Sequence, residues 1–377
     1  MSNQAFKAGL EDVVALSSDI CFIDGDEALL TYRGFNINDL ARHATFEEVV
    51  YLLWHGRLPN RAQLAELKGQ IAAERALPRE ILAWLGSLPK DAAPMSVVRT
   101  GVSALALYDP EADATDEAAN LRKAVRILAR IPTLIAAFDR IRRGEAPVAP
   151  RADLADAANF LYMLRGEAPK ELVARVFDVC LILHADHELN ASTFAARVTA
   201  ATLSDIYSAI TSAVGALKGP LHGGANQEVM RTLIEIGDPD KVEQWTRDAL
   251  AAKRRIMGFG HRVYRNGDPR AAHLKNFSEQ LAEQTGEGKW YEMSSRLEAT
   301  VAEEKPGLYP NVDFYSASTY YMMGIPIDLY TPIFAVSRIA GWTAHVLEQY
   351  HNNRLIRPRA EYTGPKHQTW VPIEQRS

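Results

Sequence analysis

Between positions 38 and 54 apolar residues return every three or four places, and the habit recurs over 61–74 and 79–88, after Pro59 and Pro78. That spacing is the 3.6-residue period of amphipathic helices, and the prolines mark their starts. A longer stripe of Leu121, Val125, Leu128, Ile131, Leu134, Ile135 and Phe138 predicts one helix over 117–143, with a kink at Pro132. Helices are predicted likewise over 154–164, 169–184, 193–213, 228–236, 242–252, 268–283, 290–305, 314–323 and 333–352. Period-two alternation is nearly absent. The exception is 20–33, where apolar and β-branched residues flank an Asp24-Gly25 pair and predict a small hairpin near the start. The fold class is therefore mainly α, with a small N-terminal β-hairpin.

Composition narrows the function classes. A chain of 377 residues, 47% hydrophobic and 24% charged, has the balance of a globular protein with one large core or two domains. Cys21 and Cys180 are too few for a disulfide framework or a cysteine zinc cage, and read as apolar packers in a reducing compartment. The first ten residues lack the apolar core of about 7–15 residues that a secretory signal needs, and no apolar run approaches about 18 residues. The expectation is a cytoplasmic protein with no membrane partner. A net charge of −5 gives no general attraction for nucleic acid, so an anionic ligand must be met by local arginines.

Four segments are too polar to be plain core. In 184–192, HADHELNAS, two histidines and two acids crowd the end of an apolar helix, and Asn190, Ser192 or Thr193 could simply cap the next one. Zinc is disfavoured, because His-x-x-His-Glu matches neither common zinc motif. In 218–226, KGPLHGGAN, two glycines after His222 let backbone approach a ligand, and a helix N-terminus favours neutral imidazole. A tight turn with an exposed histidine is the bland alternative. In 256–270, Gly258 and Gly260 make no dinucleotide fingerprint, but the loop could take an adenine-containing ligand, with Arg262, Arg265 and Arg270 for phosphate or carboxylate; a solvated basic face competes with that reading. In 309–315, Asp313 lies amid apolar and aromatic neighbours, where it is either a strengthened base or a helix cap. Arg338, inside the apolar run 333–342, either snorkels or pairs with an anion. Joining a thioester's methyl carbon to a keto-dicarboxylate would use all of them: a carboxylate base, neutral donors for two oxyanions, and arginines for two carboxylates.

The segments LHADHELNAS, GPLHGGAN, GFGHRVYRNGDPR, PNVDFYS, SRIAGW and RPRAEY, with GLEDVVALSSDICFID and FEEVVYLLWHGRLP before them, resemble those of citrate synthases, in the same order and over nearly the whole chain. The likeness is to the short, dimeric bacterial and archaeal type. It implies a two-domain helical fold, with a large dimerisation domain from 1–217 and 322–377 and a small domain, 218–321, that closes over the active site. It implies condensation of acetyl-CoA with oxaloacetate and hydrolysis of citryl-CoA to citrate, the entry step of the tricarboxylic acid cycle. By resemblance Asp313 takes the methyl proton, His222 bonds the thioester oxygen and His261 the oxaloacetate carbonyl. Substrate carboxylates fall to His187, Arg270 and Arg338, with Arg357 reaching in from the other subunit of a homodimer. Coenzyme A falls to the loop Ile256, Met257, Gly258, Phe259 and Gly260 and to Arg265, with Lys253, Arg254 and Lys305 added by charge. No metal and no bound cofactor is implied, the CoA thioester being a substrate. The alternatives are 2-methylcitrate synthase using propionyl-CoA, since one methylene is worth only about 1–3 kcal/mol; a non-catalytic binder of CoA or a dicarboxylate that regulates; and a lyase running in the cleavage direction.

Overall fold

The computed structural model describes residues 7–10 and 13–376. Met1–Phe6, Glu11, Asp12 and Ser377, which the sequence reading assigns to the large domain, lie outside the described residues. In chain order the elements are β1 Cys21–Asp24, β2 Leu29–Tyr32, β3 Phe35–Asn36, α1 Ile37–His43, α2 Phe46–His55, α3 Arg61–Glu74, α4 Arg79–Ser87, α5 Pro94–Ala106, α6 Glu117–Arg142, α7 Asp156–Arg165, α8 Glu171–His184, α9 Ala191–Ala200, α10 Ile206–Leu217, α11 Ala225–Ile236, α12 Val242–Ala251, α13 Pro269–Thr285, α14 Gly288–Glu304, α15 Val312–Met322 and α16 Tyr330–His351. The mainly α class stands, with the sheet as its β part. The hairpin pairs β1 with β2 antiparallel, Cys21 against Tyr32, and β3 extends it through Thr31 and Asn36.

Two helices read from the sequence as continuous are each a pair. The run over 38–54 breaks at Thr45, whose side chain accepts the Glu48 amide while Glu48 accepts the Thr45 amide, a reciprocal cap that starts α2. The run over 193–213 breaks at Leu203, in left-handed backbone (φ 65°), and restarts under the Asp205 cap. In both places the apolar period carries on across the break, so periodicity alone misses it. Helix α5, unread from the sequence, opens on Pro94 at its first position, where a missing N–H costs nothing. Helix α6 runs through Pro132 as one element.

Helix α16 is the axis of the core: its residues from Tyr330 to Val346 are all buried, and it packs on α2, α6, α8, α9 and α10. Helices α11 to α15 pack chiefly on one another, with α15 against α11 and α13, and α14 against α12 and α13. The candidate residues lie where these two groups meet, along α16, the end of α8 and the start of α15. Among the described residues no helix is long and apolar enough to cross a membrane.

Candidate active site

The end of α8 turns back over residues 184–188 and is gripped from two sides. Tyr32 on β2 donates its hydroxyl to the Asp186 carbonyl (2.9 Å) and accepts the Asp186 amide (3.2 Å). From the other side Arg338 Nε donates to the His184 carbonyl (2.7 Å), and the Gly341 amide to the Ala185 carbonyl (3.1 Å). A Cβ at Gly341 would stand 2.3 Å from Asp186 Oδ1, so only glycine lets α16 come this close. The turn thereby delivers His187, whose Nε2 lies 3.2 Å from the Tyr264 hydroxyl and whose ring stands edge-on to His261, centroids 5.1 Å apart.

His261 has a defined tautomer. Its Nδ1 accepts the amides of Val263 (3.0 Å) and Tyr264 (3.2 Å), so the ring proton sits on Nε2. Burial, with Arg270 second, pulls its pKa down to about 4. At pH 7 the imidazole is neutral and a donor. His222, on the loop between α10 and α11, is built to the same rule. Its Nε2 receives the Ser192 amide (3.3 Å) and lies 2.8 Å from Ser192 Oγ. Burial and then Arg338 lower its pKa to about 4. With Nε2 accepting the amide, Nδ1 carries the proton. The loop itself is tied to α16, because Thr331 Oγ1 donates to the Gly223 carbonyl and accepts Gln227 Nε2, both at 2.9 Å.

The two arginines differ. Arg270 is fully buried and locked onto Asp268 by Nε to Oδ1 and Nη2 to Oδ2, both 2.8 Å; burial works against its charge, and Asp268 outweighs burial. Arg338 is equally buried, stacks on Phe334 (4.6 Å) and makes no ion pair among the described residues; its Nη1 has no partner, and burial lowers its pKa. A buried, unpaired guanidinium is an anion site by its energetics.

Asp313 lies in the first turn of α15, its amide capped by Asn311 Oδ1 (3.0 Å). Burial raises its carboxyl to about 6; Arg270 opposes the rise and Asp268 adds to it. The loop Ile256–Gly260 runs antiparallel to the segment that leads into α15: Gly260 N–H donates to the Tyr309 carbonyl, and Asn311 N–H to the Gly258 carbonyl, both 2.8 Å. At Gly258, with φ 81°, a Cβ would fall 2.7 Å from Val229 and 2.9 Å from Phe314. This places Gly258 and Phe259 beside the helix that carries Asp313, with the Phe259 and Phe314 ring centroids 4.6 Å apart.

Not every candidate joins the cluster. Arg265 is exposed and faces Asp26 on the β1–β2 turn (3.2 Å). Arg254 is taken by Glu235 and stacks on Trp245 (5.0 Å). Lys253 and Lys305 are exposed. Arg357 is exposed on the segment after α16, which has no helix until residue 373. Sequence reasoning passed over Asp268, Tyr264, Tyr32 and Trp342, the last donating its indole N–H to Ser192 Oγ (3.1 Å). Asp268 had a local signal, a carboxylate two residues before an arginine in GDPR; Tyr32 had none, since its partner lies 154 residues away. Among the described residues no group of three or more His, Cys, Asp or Glu could hold a metal ion.

Residues 9–359 match the family described as citrate synthase, C-terminal domain. The chain is 58% identical to citrate synthase 2 of Bacillus subtilis, over 98% of this chain and 99% of that one. It is 47% identical to a 2-methylcitrate synthase of Mycobacterium tuberculosis, over 95% of this chain and 90% of that one. The solved ternary complex of carboxymethyl coenzyme A and oxaloacetate with the citrate synthase of Thermoplasma acidophilum superposes with a TM-score of 0.92, at 35% identity and 98% coverage of each chain.

Proposed function

The chain belongs to the citrate synthase family, and we propose that in its reaction, the condensation of acetyl-CoA with oxaloacetate, Asp313 is the base and His222 and His261 are the two neutral donors. Oxaloacetate binds first, one carboxylate against Arg338 and Arg270 with His187 beside it. His261 Nε2–H then bonds the keto oxygen. Asp313 removes a proton from the acetyl methyl while the thioester oxygen accepts a hydrogen bond from His222 Nδ1–H. The enol carbon attacks the polarised carbonyl, and the new alkoxide stays on His261. Water finally cleaves the citryl thioester, releasing citrate and CoA.

The observation that carries this reading is the pairing of tautomers. Each imidazole has one nitrogen occupied by a backbone N–H, which leaves the other as a fixed donor, and each has a pKa of about 4. A donor that stays neutral stabilises a developing oxyanion without first giving up a proton. A merely binding protein has no use for that pair together with a carboxyl near 6.

Residues 218–321 form the closing domain in this reading, supported by the mutual packing of α11 to α15. The loop Ile256–Gly260 takes the adenine of coenzyme A, with Arg265, Lys253 and Lys305 nearest in charge to its phosphates. The enzyme works as a cytoplasmic homodimer in which Arg357 serves the partner's site. Thiol release from acetyl-CoA and from propionyl-CoA, each with and without oxaloacetate, tests the whole. A higher kcat/KM for acetyl-CoA is expected; preference for propionyl-CoA would make it a 2-methylcitrate synthase, and no oxaloacetate-dependent release would overturn the catalytic reading.

A further inference from the structure

One face of α16 presents Arg338, Gly341 and His345 to the turn 184–186, and each of the three meets a different part of it. Arg338 takes the His184 carbonyl, Gly341 the Ala185 carbonyl, and His345 Nε2 stands 3.4 Å from the Asp186 carboxylate. Arg197 Nη1 donates to His345 Nδ1 (3.1 Å), so the His345 proton lies on Nε2, toward Asp186. Arg197 is held in turn by Gln349 (3.0 Å) and by Glu348. Asp186, Arg197, His345 and Arg338 are all buried. Two fully buried side-chain atoms in this packed group have no hydrogen-bond partner among the described residues: Arg338 Nη1 and Asp186 Oδ1. They are a cation and an anion that both lie between this turn and α16, Arg338 at the His184 carbonyl and Asp186 Oδ1 against Gly341, and no ion pair joins them.

We propose that Asp186, anchored by His345, is a positioning residue that carries the charge of Arg338 while the site is empty and so limits how tightly the site takes the oxaloacetate carboxylate. The inference rests on the reading of Arg338 as a substrate ligand. An unpaired guanidinium inside a protein destabilises the fold, and a resident carboxylate at short range offsets that cost. The same carboxylate repels an arriving one. Asp186 cannot compete by direct bonding, because its Oδ2 accepts the Glu188 amide (3.1 Å) and its Oδ1 abuts Gly341. Stability of the empty enzyme and affinity for the dianion therefore pull in opposite directions at this one residue.

Calorimetric titration with oxaloacetate and thermal melting of the unliganded enzyme test this on wild type, Asp186→Asn, Arg338→Leu and the double variant. Asp186→Asn is expected to melt lower than wild type when empty and yet to bind oxaloacetate about three- to tenfold more tightly, as removing one charge at this range implies. In the Arg338→Leu background the tightening should shrink, because the substrate carboxylate is no longer held at Arg338 beside Asp186. A role confined to holding the turn together would weaken binding, so unchanged or weaker affinity in Asp186→Asn overturns the proposal. Asp186→Ser, which also removes the charge and keeps an acceptor for the Glu188 amide, carries the same expectation should Asp186→Asn fail to fold. If Arg338→Leu alone leaves oxaloacetate affinity intact, it is the assignment of Arg338 that falls; if Arg338→Leu abolishes binding and neither Asp186 variant tightens it, only this inference falls.

Discussion

Asp268 and Arg270 face each other through two parallel hydrogen bonds of 2.8 Å, and the same Asp268 carboxylate accepts the Val312 amide at 3.0 Å, at the start of the helix that carries Asp313. One buried carboxylate thus sets both the arginine proposed to hold substrate and the helix of the proposed base. Removing a single member of such a pair leaves a buried charge uncompensated, at about 3–5 kcal/mol. Asp268→Ala should lose stability on that scale in urea unfolding, and Asp268→Asn less, with the oxaloacetate KM raised in both. Burial raises the Asp268 pKa, and the charge and hydrogen bonds of Arg270 outweigh it, so the net shift is downward. The stability contributed is therefore complete above the unfolded-state pKa and lost as pH falls through the folded one. The gap between wild type and Asp268→Asn should narrow at acid pH; a gap that stays constant would remove the charge from the explanation.

The acid limb of activity should belong to Asp313. Its carboxyl titrates near 6, whereas His222 and His261 titrate near 4, so kcat/KM should fall with unit slope as pH drops through about 6. Asp313→Asn should retain oxaloacetate binding and lose kcat by several orders of magnitude. Because the folded-state pKa is raised, the group favours the fold most below its unfolded value and loses that contribution as pH rises through about 6. The asparagine variant should accordingly melt above wild type at neutral pH. Near-normal turnover in that variant would end its assignment as base.

Gly258→Ala should act on two levels. The left-handed backbone costs a side chain about 1–2 kcal/mol, and forcing a methyl against Val229 and Phe314 adds about 1–3 kcal/mol. Phe314 neighbours Asp313, so displacement reaches the proposed base as well as the loop. Chemical denaturation should show a loss of that size, and steady-state kinetics a higher acetyl-CoA KM with a lower kcat. Unchanged kinetics at reduced stability would separate the loop from the thioester site.

What the sequence made legible follows physical range. Helices with a continuous apolar stripe, such as α6 with Val125, Leu128, Ile131, Leu134 and Phe138 all buried, are readable because burial on one face imposes the period. The breaks at Thr45 and Leu203 are not, because capping and a single left-handed residue interrupt the backbone without interrupting the stripe. His222, His261, Asp313, Arg270 and Arg338 stand out because each is a polar group in a setting that otherwise favours glycine or apolar side chains. Asp268 was signalled only by its place two residues before Arg270, and Tyr264 carried no signal of its own, since its partner is another site residue. Charge alone picked Arg254, and charge says nothing of whether a cation is already taken; Glu235 and Trp245 hold it. The grip of Tyr32 and α16 on the turn 184–188 joins residues more than 150 positions apart, and only the folded chain reveals it.

Arg357 tests the assembly. It lies exposed on the segment after α16, outside the cluster formed within one chain, and the proposed homodimer supplies it across the interface. Arg357→Ala and Asp313→Asn homodimers should each be inactive or nearly so. In a mixed dimer the subunit with Arg357→Ala keeps its own Asp313 and receives an intact Arg357 from its neighbour, so one site is complete; the other carries both defects. Co-expression with random pairing should therefore restore about a quarter of wild-type sites, since half the dimers are mixed and half their sites are whole. Arginine supplied within its own chain gives a different result. Each subunit would then carry its single defect into every dimer, and mixing would restore nothing beyond the sum of the two parent activities.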